Sequence, residues 1–135
     1  MHAVKKIILD TNFLMIPWQF RVDIFSEIDR ICHFNYKIFM FDKSIDELNG
    51  IIQKSGGKDK KAAQFALKLI KLKNISLIKS DKGHVDSLIL ENLSSDAVVA
   101  TQDILLRKDL LKKGFSVVIL RQKKYLQLID AKLYK

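Results

Sequence analysis

Acidic side chains that follow apolar runs are the residues of this sequence best placed to do chemistry. Asp10 follows Ile7-Ile8-Leu9 directly. Glu47 lies early in the amphipathic stretch that begins at Ser44, Asp86 opens another at Val85, and Asp103 follows Ala97–Ala100 with Thr101 and Gln102 between. A carboxylate joined to a buried strand is costly to desolvate unless something pairs with it. No Lys or Arg stands ready, because Thr11 to Phe20 carries no charge. A metal ion is then the natural partner of Asp10. Several carboxylates meeting in one pocket raise one another's pKa, and a hard divalent cation removes that repulsion. Oxygen-only ligands favour Mg²⁺ or Mn²⁺, and no His/Cys cluster is present to bind zinc.

Each acid also has a purely structural reading. Ser44-x-x-Glu47 is the pattern of a capping box, in which Glu47 bonds back to the helix start. Asp86 and Asp103 can satisfy free N–H groups at helix starts, and Asp10 can close a turn in its own loop.

The elements that must position these acids follow from hydrophobic periodicity. Ile7–Leu9, Ile38–Phe41, Ile75–Ile78, Ala97–Ala100 and Val117–Leu120 are too short for helices and read as strands buried on both faces. Helical spacing marks Ile24–Cys32, Ser44–Gln53, Lys58–Leu72 (burying Ala62, Phe65, Ala66, Leu69 and Leu72), Val85–Leu93 and Asp103–Lys113, with a final short helix over Lys123–Leu133. Gly114 after Lys112 and Lys113 is a helix stop signal. Ser55–Asp59 reads as a flexible loop. Alternation of this kind predicts a three-layer α/β/α sandwich with a central parallel sheet of about five strands. Ligands bind such sheets at the carboxyl ends of the strands, and Asp10, Glu47 and Asp103 fall on that rim. Asp96 falls at the opposite end and is read as structural.

Composition narrows the class further. The 135 residues suit one domain over residues 1–135, and 48% hydrophobic content suffices for a core without staples. Twenty-four Lys and Arg against 15 Asp and Glu leave +9, which favours polyanionic partners. No run is long and apolar enough to span a membrane, no secretory signal is evident, and the single Cys32 fits a reducing, cytoplasmic setting. An acidic pocket on a basic protein suggests a nuclease: the exterior attracts a polyanion and the acids hold metal where a phosphate is handled.

Asp10-Thr11-Asn12-Phe13-Leu14 after an apolar strand resembles the opening motif of PIN-domain ribonucleases. Ser44-Ile45-Asp46-Glu47-Leu48, Val85-Asp86-Ser87-Leu88-Ile89-Leu90 and Val99-Ala100-Thr101-Gln102-Asp103 resemble the second, third and fourth motifs, in the family's order across the whole chain. Met15–Phe20 and Leu120–Leu126 look most like the archaeal branch related to VapC toxins and to PIN nucleases of ribosomal RNA processing. The resemblance implies an Mg²⁺- or Mn²⁺-dependent endoribonuclease acting on single-stranded RNA and leaving a 5′-phosphate and a 3′-hydroxyl. It implies Asp10, Glu47, Asp86 and Asp103 as the acidic quartet, with Asp10, Asp86 and Asp103 on the metal and Asn12 and Thr101 orienting the ligands. Gln102 stands where the family often has Asn, which bears on the bonds around Asp103.

Among the cations, Arg107 and Lys108 lie one turn beyond Asp103, Lys61 shares one arc of a helix with Lys60, Lys68 and Lys71, and Lys58 lies in the loop before it. These are the candidate RNA contacts, or else solvated faces of a Lys-rich protein. Trp18 and Phe20 are read as base-stacking groups or a homodimer face. Cys32 and the three His residues are expected to be inert. Expected partners are RNA, a second copy of the chain, and an antitoxin or a ribosome-assembly protein. The competing reading is an RNA-binding scaffold of the same fold with little or no catalysis.

Overall fold

Nearly every core position of the sheet alternates between two apolar clusters, which fixes the layering. Ile7, Leu9, Val98, Ala100 and Val118 join one cluster, while Ile8, Val99, Val117 and Ile119 join the other. The computed structural model describes residues 4–80, 85–94 and 96–133, with the backbone alone of Asp86, Glu91 and Asn92. The chain runs through β1 (Lys5–Leu9), a 3-10 turn (Asn12–Met15), α1 (Ile16–Phe20), α2 (Ile24–Ile31) and β2 (Tyr36–Phe41). It continues through α3 (Lys43–Lys54), α4 (Gly57–Leu72), β3 (Ser76–Ile78), α5 (Val85–Asn92) and β4 (Val98–Ala100). α6 (Ile104–Lys112), β5 (Ser116–Arg121), β6 (Tyr125–Ile129) and a 3-10 turn (Ala131–Leu133) complete it.

The sheet has six strands in the order β3-β2-β1-β4-β5-β6. Strands β1 to β5 pair in parallel and β6 pairs antiparallel to β5. This is the expected three-layer α/β/α architecture with one more strand. α1 to α4 supply the first cluster's helical side; α5 and α6 supply the second's. The chain leaves β1 for β2 and β3, then returns to place β4 on β1's other side. That reversal opens a crevice beyond the carboxyl ends of β1 and β4. Asp10 and Thr101 are the residues next after those two strands.

Four local expectations are corrected. Lys123–Leu133 does not form a helix: Tyr125–Ile129 is β6, with Leu126 buried and Tyr125 and Gln127 exposed. The hairpin turns at Gln122 and Lys123, whose φ values of 52° and 57° match the strands' twist. Its free edge is held by α2, where Glu27 Oε1 accepts the Leu126 N–H at 2.9 Å and Arg30 Nη2 donates to the Leu126 carbonyl at 3.2 Å. α4 buries Ala62, Ala63, Ala66 and Ile70, leaving Phe65 and Leu72 exposed. A face of alanines lets α4 approach α1 and α3 closely, and the bulky side chains rotate out to its margins. Finally, β3 is an edge strand with Leu77 exposed, and the turn before α4 shrinks to Ser55 and Gly56 because helix begins at Gly57. The stop at Gly114 is as expected, with φ +91°. Among the described residues no helix is long and apolar enough to cross a membrane.

Candidate active site

Asp10 is the best-buried acid of the described residues, 6% exposed, at the end of central β1. Its backbone N–H still bonds the Ala100 carbonyl of β4 at 2.9 Å, so the carboxylate is carried on the sheet itself. Oδ1 accepts the Thr11 N–H at 2.8 Å and Oδ2 accepts the Thr101 hydroxyl at 2.8 Å. Burial pushes the Asp10 carboxyl above its ordinary value; those two bonds oppose the shift, and the charges of Glu47 and Asp103 add to it. The one ion pair among the described residues is Arg30 with Glu27, so no Lys or Arg neutralises this carboxylate.

Asp103 starts α6 and caps it: Oδ1 accepts the N–H groups of Leu105 and Leu106 at 2.9 and 3.1 Å. Its own N–H donates to Thr101 Oγ1 at 3.0 Å. Having accepted that bond, the Thr101 hydroxyl gives its single proton to Asp10, so one buried threonine sets the spacing of two carboxylates. Glu47 comes from α3. Its Oε1 accepts the Thr11 hydroxyl at 2.5 Å, and the fully buried Ser44 hydroxyl lies 2.8 Å behind on Thr11 Oγ1. Thr11 has one hydroxyl proton, which goes to Glu47; Ser44 therefore donates to Thr11.

The capping-box reading of Ser44 and Glu47 does not hold. Ser44 lies inside α3 after an N-cap at Asp42, and both side chains turn toward Thr11. The cap reading of Asp103 does hold, and the same residue lines the pocket.

These side chains surround one depression of about 350 Å³, lined by Asp10, Thr11, Asn12, Glu47, Val85, Ser87 and Asp103. The Asp86 backbone lies between Val85 and Ser87 on α5, but its side chain is outside the described residues, as are His2 and His84. Asn12 lines the pocket, and its carbonyl accepts Gln102 Nε2 at 3.0 Å. The longer Gln102 thus clips the loop after β4 to the turn after β1 and leaves the bonds of Asp103 alone. Among the described residues no three His, Cys, Asp or Glu side chains form a group able to hold a metal by themselves.

The cations sit elsewhere. Arg107 and Lys108 follow on α6 and do not line the acidic pocket, while Lys58 and Lys61 line a separate cleft with Trp18 and Phe20. Asp96 is exposed and accepts the Ser94 hydroxyl at 3.0 Å. Cys32 is buried, and that burial pushes its thiol up to about 11, out of nucleophile range. Sequence reasoning missed Thr11 and Ser44 as site residues. The available signal was a hydroxyl directly after a buried strand's carboxylate.

Comparison with known proteins bears on the family and the fold. A family described as "PIN like domain" matches residues 7–123. Ribonuclease VapC4 of Methanocaldococcus jannaschii is 29% identical over 125 residues, covering 91% of this chain and 95% of that protein. Ribonuclease VapC9 of Archaeoglobus fulgidus is 27% identical over 132 residues, covering 96% and 94%. Among solved structures, the PIN domain endonuclease Utp24 superposes with a TM-score of 0.72 at 18% identity, covering 93% of each chain. A domain of a functionally unknown protein from Methanocaldococcus jannaschii superposes at 0.61 and 15%, covering 87% and 92%.

Proposed function

This chain belongs to the PIN-like domain family, and we propose that it is a divalent-metal-dependent endoribonuclease of single-stranded RNA. The observation that carries the reading is Asp10: a buried carboxylate with no cationic partner among the described residues, tied through Thr101 to Asp103 and facing a pocket that Glu47 also lines. An all-oxygen donor set on a desolvated carboxylate fits Mg²⁺ or Mn²⁺. Asp10 and Asp103 would hold the ion, with Asp86 as a third ligand. When bound, it supplies Lewis-acid polarisation of a phosphate and lowers the pKa of water.

The protein's own groups do the positioning. Thr101 orients Asp10, and Thr11 fixes Glu47 through Oε1, leaving Oε2 to take a proton from the attacking water. Water adds to phosphorus as Glu47 takes its proton, the bond to the 3′-oxygen breaks, and that oxygen leaves as a hydroxyl by taking a proton from solvent water. Arg107 and Lys108 on one side and Lys58 and Lys61 on the other would hold flanking phosphates. The two relatives named as VapC ribonucleases favour the toxin-type role over ribosomal RNA processing, and we place the protein in the cytoplasm with an antitoxin as its partner.

The test is cleavage of a structured RNA by purified protein with Mg²⁺ or Mn²⁺, with EDTA, and by Asp10→Asn. Cutting that needs metal and disappears in the variant supports the reading. Metal-independent cutting, or cutting that survives in Asp10→Asn, would falsify it. Binding without any cutting favours the scaffold.

A further inference from the structure

A groove of about 530 Å³ leaves the acidic pocket and follows α3, sharing Thr11, Asn12 and Glu47 with it. Lys43, Asp46, Gly50, Ile51 and Lys54 make its floor, a stripe of one helix face. Gly50 keeps that floor low, since nothing lies within 4 Å of where a Cβ would stand. The groove ends at Ser55. Two residues on, at Gly57, begins a cleft of about 580 Å³ between α1 and the start of α4. Trp18, Phe20 and Arg21 wall it on one side and Lys58 and Lys61 on the other.

Arg21 is the unusual member. It ends α1 in the left-handed conformation, φ 57° and ψ 40°, where glycine or asparagine is the usual choice. Its guanidinium carbon lies 4.5 Å from the centre of the Trp18 ring, and Trp18 leans on Phe65 with ring centres 6.1 Å apart. A guanidinium laid on an indole is held in place without being neutralised, so its N–H edge remains free to meet an anion. Among the described residues no carboxylate pairs with Arg21, Lys54, Lys58 or Lys61, although Asp59 shares the cleft.

We propose that single-stranded RNA cut at the acidic pocket continues along α3 into this cleft, where Arg21, Lys58 and Lys61 take its phosphates and the Trp18–Arg21 stack seats a base. The proposal rests on the nuclease reading for its starting point. α3 has 12 residues, about 18 Å at 1.5 Å per residue, room for up to about five nucleotides at stacked spacing. The enzyme would therefore require several nucleotides on one side of the cut. Cations interleaved with aromatics suit a single strand, whose bases have exposed faces, better than a duplex.

The test measures anisotropy of fluorescein-labelled oligouridylates of 4 and 12 nucleotides in EDTA, using Asp10→Asn so that nothing is cut. The 12-mer should bind at least about tenfold tighter than the 4-mer. Adding Arg21→Gln, or Lys58→Gln with Lys61→Gln, should erase that advantage and lower the log–log salt slope by about 0.7 for each cation removed. Removing equal charge outside the cleft, by Lys112→Gln with Lys113→Gln at the exposed end of α6, should leave the advantage in place. The exposed lysine pair covers the event that Arg21→Gln fails to fold, which circular dichroism reports. Equal losses from cleft and control pairs, no loss from either, no RNA binding at all, or stronger competition by oligoglutamate than by unlabelled RNA each overturn the track. Metal-dependent cutting by the wild type is scored separately. If it occurs while the cleft variants bind normally, the nuclease reading stands and the track falls; if it never occurs while the cleft variants lose binding, the reverse holds.

Discussion

Thr11 and Thr101 have the same job on opposite sides of Asp10. Each hydroxyl receives a bond from behind, from Ser44 or from the Asp103 N–H, and gives its one proton to a carboxylate. Replacing Thr11 with Val should lower kcat by about 10- to 100-fold, as loss of an orienting group does. It also strands the buried Ser44 hydroxyl, at a cost of about 1–3 kcal/mol in a denaturant melt. Thr11→Ser should recover most of both. Asp10 itself is kept at the expense of stability. Its folded pKa is raised chiefly by burial, so the folded state binds this proton more tightly than the unfolded state. Stability is therefore lost as pH rises from 3.8 through the folded value, and remains lost at neutrality. Asp10→Asn removes the charge, and Thr101 can turn its hydroxyl to suit the amide. The variant should melt higher than wild type at pH 7, and the difference should vanish below pH 3.8; a variant that melts lower at pH 7 contradicts this account.

Among the elements, β6 depends most on a single pair of side chains. Glu27 and Arg30 grip each other at 2.8 Å and cover the Leu126 N–H and carbonyl on the sheet's free edge. Arg30 holds the Glu27 carboxyl below its ordinary value, with the Leu126 N–H assisting. A depressed acid contributes stability that is present above its unfolded pKa, 4.5, and lost as pH falls through the folded value. Glu27→Gln should cost about 1 kcal/mol at pH 7 and flatten that acid limb, read from urea midpoints between pH 3 and 7. β6 was illegible in the sequence because its alternation is short and its turn contains no Gly, Asn or Asp. By contrast α6 was legible at both ends: Asp103 is a capping residue by type, and Gly114 is the stop that the left-handed conformation demands.

At the scale of the whole molecule, the switch of chain direction at β1 decides where chemistry can occur. Residues 37 positions apart in sequence, Asp10 and Glu47, and a third acid at 103 face one pocket because β1 lies between β2 and β4. Three carboxylates there among the described residues and +9 overall put opposite fields on one small protein. A divalent ion that binds the folded state should raise the melting temperature, by the equivalent of about 2.7 kcal/mol when present at a hundred times its Kd. Thermal scans with Mn²⁺ or Mg²⁺ should show this for wild type and not for Asp10→Asn; an equal rise in both would move the ion away from Asp10.

The sequence alone determined the alternation of strand and helix, five of the six strands and the acids at their carboxyl ends. These rest on periodicity and on residue type, which act within a few positions of the chain. Only the tertiary structure decided that Ser44 and Glu47 turn from the helix start to Thr11, that α4 buries alanines and exposes Phe65, and that Glu27 and Arg30 close the edge at Leu126. Each of those depends on a partner far along the chain, and a hydrogen-bond donor or a packing face is assigned only when the fold brings its partner within reach.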